Sequence, residues 1–289
     1  MKHQLAASIG KWSIALPVVF SMAILITAPV WAMGAVSTGM GGAETALSAA
    51  GVPVNPAAAG AISNNTVYLG VGLPLNEGLP IYLSIHQPAQ EMGADLAGTL
   101  SATVTRTPNL LGGGGVSYTR NEEINYQIAE HYKIGYAGIG LRWFRQIDES
   151  NNLTGDAWRI DLGWQQPLAP GLVAGVTVSN VAGSAVRFSD GSTTARRPEW
   201  RLGLAYSSGA MLTLAADAWQ FTGYIPGAAA IGVEVAIIPQ LLLRGGYRWV
   251  GGVNQYTAGA GLAVGNWQLD AGVDVGATTK GILGLFVRM

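Results

Sequence analysis

The chain has 289 residues, with 16 basic, 17 acidic and no cysteine. Charged residues make up 11%, hydrophobic residues 49% and glycine 41 positions; soluble domains carry roughly a quarter charged residues. This balance excludes a disordered chain, binding to nucleic acid through a basic excess, a disulfide scaffold, and thiol or cysteine–zinc chemistry. Few charges with high apolarity point to a membrane protein.

In chain order, Lys2, His3 and Lys11 give a basic start, and residues 12–30 form an apolar run. Val30-Trp31-Ala32 ends that run on a small residue. Residues 1–32 therefore read as a secretory signal peptide; Pro17 and Pro29 oppose the alternative, an uncleaved anchor helix. Residues 33–64 are rich in Ala and Gly and precede any strand. Gly39-Met40-Gly41-Gly42 would suit a phosphate loop only with a strand before it, and none precedes it. We expect this segment to be a compact hatch, a short helix and loop folded into a barrel mouth, with residues 65–289 forming the barrel.

Beyond residue 64 no run of about 18 apolar residues recurs, and the apolarity alternates instead. Trp200, Leu202, Leu204 and Tyr206 interleave with Arg201, Gly203 and Ala205. Trp267, Leu269, Ala271, Val273 and Val275 interleave with Gln268, Asp270, Gly272 and Asp274. A period of two is the signature of a strand, whose successive side chains point to opposite faces. Strands are expected at 66–73, 80–87, 96–106 and 112–119. The next segment, 121–133, reads as a turn with a short helix. Ten more are expected at 134–147, 157–167, 171–182, 199–207, 211–221, 229–238, 241–250, 256–264, 267–276 and 281–289. Tight turns at 167–171, 208–209, 239–240 and 265–266 alternate with longer polar connections at 148–156, 183–198, 222–228, 251–255 and 277–280. Outer-membrane barrels pair short periplasmic turns with longer external loops, so the tight turns and the C-terminus are assigned to the periplasm.

The chemistry of the two faces separates a membrane barrel from a soluble sandwich. The non-apolar face is Gly, Ala, Thr and Ser with scattered charges, too sparse for a water-facing exterior. A barrel inverts the usual arrangement, with large apolar side chains toward lipid and small or polar ones toward the lumen. Closure also leaves no unpaired backbone in hydrocarbon. The expected fold is an all-β transmembrane antiparallel barrel of about fourteen strands in the bacterial outer membrane.

Several blocks resemble known outer-membrane barrels. Gly39-x-Gly41-Gly42-Ala43, Ala46-Leu47 and Val54-Asn55-Pro56-Ala57 are similar to the N-terminal signature of FadL-like barrels. Later blocks resemble the PorV/PorQ branch: Ala157–Gly163, Gly171–Asn180, Pro198–Tyr206, Leu241–Arg248 and Tyr256–Leu262. The resemblance covers nearly the whole mature chain. It implies a fourteen-stranded barrel with an N-terminal hatch, with Gly39, Gly41, Gly42, Asn55, Pro56 and Ala57 as the hatch motif. It further implies passage of a hydrophobic small molecule or, on the PorV side, docking of secreted proteins in type IX-like secretion. The chain departs from such barrels by ending Val287-Arg288-Met289 rather than on an aromatic residue, and its external loops look short.

Inward candidates are Arg142, Arg159, Asp161, Arg201, Asp217, Trp219, Glu234, Arg244, Arg248, Asp270 and Asp274. Register across the 239–240 turn places Glu234 near Arg244. These charges are read either as pairing with one another to hold the barrel's shape or as unpaired arginines that receive an anionic head group through their planar fork. Trp143, Trp158, Trp164, Trp200, Trp249 and Trp267 fall on the apolar face as an interfacial girdle. Catalysis has little to stand on. The mature chain keeps only His86 and His131, and Ser84 lies too far along its strand to bond His86 directly. Neither a cofactor nor a metal site is expected, and the partners are outer-membrane lipid with a hydrophobic small molecule or a secreted protein.

Overall fold

The computed structural model describes residues 35–47, 54–73, 81–89, 95–110, 116–195, 197–209, 211–222, 225–275 and 279–289. The expected signal peptide and residues 33–34 and 48–53 of the expected hatch lie outside them. Fourteen strands form the wall: β1 Thr66–Leu73, β2 Ile81–Gln87, β3 Leu96–Leu110, β4 Val116–Tyr132, β5 Gly135–Asp148, β6 Leu153–Ala169, β7 Leu172–Gly183, β10 Glu199–Ser208, β11 Leu212–Thr222, β12 Ile225–Ile238, β13 Leu241–Val250, β14 Val253–Val264, β15 Trp267–Val275 and β16 Thr279–Arg288. The short β8 (Val186–Phe188) and β9 (Thr193–Thr194) form a hairpin in the connection after β7, with β8 paired to β6. Every wall strand is antiparallel to its neighbours, and β1 pairs with both β2 and β16, which closes the sheet on itself.

The expected inversion holds. Leu83, Leu100, Ile124, Leu141, Leu204, Ile231 and Leu262 are exposed on the outer face, whereas Asp161, Asp217 and Asp270 are 0%, 5% and 3% exposed. Among the expected girdle tryptophans, Trp143, Trp158 and Trp200 are exposed on this outer belt. With its backbone paired in a closed ring and its large apolar side chains turned outward, the chain is a bacterial outer-membrane barrel.

Two expectations are corrected. Residues 121–132 are not a turn with a helix but the body of β4, paired from Asn121↔Gln146 to Tyr132↔Gly135 along β5. The charges there misled because they lie at the rim or in the lumen; Ile124, Tyr126 and Ile128 do alternate toward lipid. The fourteen-strand count survives because 112–119 and 121–133 belong to one strand. Nor do connection lengths alternate as expected. Residues 225–228 lie in β12 and 253–255 in β14, so the turn after β13 is only Gly251-Gly252. These strands continue past the hydrocarbon into water, and their polar ends read as loop.

Inside the ring, α1 (Ala35–Gly39) packs against β13–β16, and a 3-10 turn at Pro56–Ala61 packs against β3–β6. Glycines on the inward face make room for them. A Cβ at Gly138, Gly163, Gly175, Gly203, Gly232, Gly246 or Gly272 would fall within 3.0 Å of another atom. At each of these positions the crowding atoms belong wholly or partly to the N-terminal segment. Gly138 and Gly175 stand close to the turns at the barrel's C-terminal end and Gly203, Gly232, Gly246 and Gly272 near the middle of their strands, so the segment lies across the middle of the lumen and toward that end.

Candidate functional site

The lumen is built from side chains that alternate inward and from the N-terminal segment they hold. Tyr68 on β1 is fully buried, accepts a hydrogen bond from Ala35 N at 3.2 Å, and rests against Phe286 with ring centroids 4.5 Å apart. Thr257 Oγ1 donates to Gly39 O at 3.1 Å. Gly41 and Gly42 adopt φ of 69° and 85°, the left-handed region open to glycine, and turn the chain after α1. Met40, Ala43 and Ala46 then pack with Trp219, Ala228 and Ala230.

Asp217 on β11 is the main polar anchor. Its carboxylate accepts from Glu44 N at 3.0 Å, Thr45 N at 3.0 Å, Thr45 Oγ1 at 2.7 Å and Arg201 Nε at 2.9 Å. Arg201 also donates to Gly42 O and lies over the Trp219 ring, 4.5 Å from its centroid. Gln220, with φ 55°, follows Trp219, and the register runs unchanged past it from Trp219 with Ala228 to Phe221 with Pro226. Asn55 joins the two halves of the segment. It caps the 3-10 turn by accepting from Ala57 N at 3.0 Å and donates to Thr45 O at 2.8 Å and Trp164 O at 3.1 Å. Pro56 then takes the first position of the turn, where its missing N–H costs nothing.

The remaining lumen charges form clusters. Arg244 Nε meets Glu234 at 2.6 Å and its Nη1 meets Asp270 at 2.5 Å. Arg248 Nη2 meets Asp274 at 2.6 Å and its Nε donates to Gln255 at 2.7 Å. Arg142 bridges Glu123 at 2.9 Å and Asp161 at 2.7 Å, while Arg159 approaches the same two carboxylates at 3.6 and 3.8 Å. All the inward residues named from the sequence therefore face the lumen, and their five arginines each have a carboxylate partner. None of these five arginines stands without a carboxylate within 4 Å, as the reading of them as receivers of an anionic head group supposes. Sequence reasoning missed Glu44, Glu123 and Thr45. Glu123 was lost with the misread β4, although its place in the alternation Asn121, Glu123, Asn125, Gln127 marked it as inward.

Glu44 is buried, and its Oε1 lies 4.0 Å from Arg201 Nη1. Burial pushes its carboxyl up to about 7, with Asp217 adding to the rise and Arg201 and Arg248 opposing it. A carboxyl raised in the seated state stabilises seating fully where it is protonated in both states. Seating should thus weaken as pH climbs from about 4.5 to about 7 and then level off. Hydrogen exchange at residues 35–47, corrected for intrinsic rates, should show more opening at pH 8 than at pH 5, and Glu44→Gln should flatten the difference. An unchanged slope in that variant would assign the effect to another group.

His86 lies at the C-terminal end of the lumen. Its Nδ1 is 2.9 Å from Thr99 Oγ1 and its Nε2 is 3.2 Å from Ile62 O, so both ring nitrogens are engaged in joining β2, β3 and the segment. Among the described residues no cluster of three metal-ligating side chains occurs.

No protein-family model matches the sequence, and no curated protein matches it. Solved structures do match. The toluene transporter TbuX of Ralstonia pickettii has a TM-score of 0.64 at 14% identity, over 89% of this chain and 98% of that one. The toluene transporter TodX of Pseudomonas putida has a TM-score of 0.63 at 13% identity, over 91% and 99%. A FadL homologue of Pseudomonas aeruginosa has a TM-score of 0.63 at 11% identity, over 91% and 99%. Such identities establish a shared fold, and the chain has the FadL-like barrel fold expected from its N-terminal blocks. They do not extend to the PorV/PorQ branch.

Proposed function

We propose that the barrel passes uncharged hydrophobic small molecules across the outer membrane, with the segment before β1 as the hatch that keeps the lumen shut between passages. The observation that carries this reading is the pairing of the inward arginines. A carboxylate solute meets guanidinium groups already held by Glu123, Asp161, Asp217, Glu234, Asp270 and Asp274, and a buried charge without a partner is costly. An apolar, neutral solute incurs no such penalty. The toluene transporters among the structural neighbours favour the same class of cargo. The inward residues and the Gly39, Gly41, Gly42, Asn55, Pro56 and Ala57 motif then serve to hold the hatch and the barrel's shape.

The PorV/PorQ-like blocks imply docking of secreted proteins instead. Apart from the β8–β9 hairpin, the external connections described are short, as at 149–152 and 251–252, and offer a docking partner little surface. Passage is therefore the reading adopted. To test it, the chain is expressed in cells whose lipopolysaccharide excludes apolar solutes, and uptake of 1-methylnaphthalene is compared with that of 1-naphthoate. The barrel should speed methylnaphthalene uptake and leave naphthoate at least about tenfold behind. Equal acceleration of both, or of neither, would refute the proposal.

A further inference from the structure

The inward face of β2–β4 differs from the rest of the lumen. In register, Ser84, Ser101 and Asn125 form one row, and His86, Thr99 and Gln127 the row below. These are uncharged hydrogen-bonding side chains, buried together. Apart from the Ile62 carbonyl, which His86 Nε2 meets at 3.2 Å, what packs against β3 and β4 here is the Pro56–Ala61 turn, whose side chains are proline and alanine and provide no hydrogen-bonding group. Elsewhere the hatch meets the wall through matched bonds, as at Asp217 and Asn55.

Asn125 stands out within this face. It is 1% exposed, and both its Nδ2 and its Oδ1 are buried without a hydrogen-bond partner in the protein. A Cβ at the nearby Gly140 would lie 3.5 Å from Asn125 Oδ1 and 3.4 Å from Pro56 Cγ, so the amide and the proline border the same small space. A buried polar group left unpaired is uncommon and destabilising. The closed hatch holds this one shut in, and any opening of the turn exposes a donor and an acceptor side by side.

We propose that Asn125 recognises the hydroxyl or carbonyl group of an otherwise apolar, uncharged solute, which reaches it as the Pro56–Ala61 turn moves off the wall. This rests on the passage reading above and narrows its cargo from hydrocarbons in general to those bearing one neutral oxygen. The pairing satisfies an amide that the closed state leaves bare, so the solute's own hydrogen bond favours displacement of the turn. A pure hydrocarbon gains nothing at this point.

The experiment compares 1-naphthol with 1-methylnaphthalene, a pair of similar size that differs in the hydroxyl, in cells expressing the full chain. Asn125→Leu removes both hydrogen-bonding atoms, and Asn125→Ser keeps a hydroxyl; heat-modifiable migration on gels shows which variants fold. Naphthol uptake should fall roughly fivefold in Asn125→Leu, with methylnaphthalene changed by less than about twofold and Asn125→Ser in between. Should Asn125→Leu not fold, a fall of the naphthol rate alone in Asn125→Ser carries the same weight. Uptake of both solutes falling together, or the ratio standing still, would make Asn125 a structural residue only and overturn the assignment. If the unaltered barrel speeds neither solute, the passage reading fails and takes this one with it; if it speeds methylnaphthalene and the ratio ignores Asn125, only this one fails.

Discussion

Gly232→Val is expected to leave the barrel folded and the hatch unseated. Gly232 lies on the inward face of β12, and the nearest atoms to a Cβ there are the Met40 carbonyl and Cα, all backbone. Side chains can swing away from an added methyl group, but the Met40 backbone is held from both sides by α1 and by the Asp217 bonds just beyond it. Overpacking a well-filled interior costs typically ~1–3 kcal/mol, and a rigid neighbour places this case at the upper end. The strand itself is not strained, because valine favours extended backbone. Gly245→Val is the control. It points to lipid on the adjoining β13, and a Cβ there meets only Val233 Cγ1, at 3.8 Å. In planar bilayers Gly232→Val should turn a closed barrel into a steadily conducting one, while Gly245→Val stays closed. Both variants staying closed would mean that the N-terminal segment is not what blocks the lumen.

Asp217→Ala should loosen the hatch from the adjoining strand, β11. The substitution strips the acceptor from two backbone N–H groups, the Thr45 hydroxyl and Arg201. Arg201 has an exposure of only 12%, with Glu44 as its other carboxylate at 4.0 Å. Removing one partner of such a buried pair costs about 3–5 kcal/mol, most of it from the charge left behind. Hydrogen exchange should show lost protection at residues 42–46 with the strand ladder unchanged. The double variant Asp217→Leu with Arg201→Met removes both charges and should recover part of the loss, since an apolar replacement of a buried pair is often tolerated. Protection at 42–46 that survives Asp217→Ala would show that apolar packing around Met40 and Trp219 is sufficient.

The wall was legible in the sequence wherever a strand has lipid along the whole of one face and the lumen along the other. From Trp200 to Tyr206, every second residue is large and apolar, and the pattern could be read without tertiary information. The Glu234–Arg244 pair was legible for a similar reason: two strands joined by a tight turn share a register, and register fixes which side chains meet. Legibility failed at rims. Residues 121–122 and 253–255 belong to strands but lie toward the rim, where nothing selects apolar side chains and composition resembles that of a loop. It failed again in the lumen, where contacts join distant parts of the chain. Nothing near Glu44 announces Arg201, and the pairing exists only because the ring closes around the segment. The glycines were visible as a compositional excess, yet their purpose was not, because the backbone they accommodate is set by the fold.

The seam between first and last strands governs how such an object can be assembled. Thr66 pairs with Arg288, and Met289 N donates to Asn65 O, so the final staves meet only after the whole polypeptide has been delivered. The plug is tethered directly ahead of the first stave, so it is already delivered when the gap zips. The slow, non-local character of this pairing gives the plug its interval to settle before the ring locks around it.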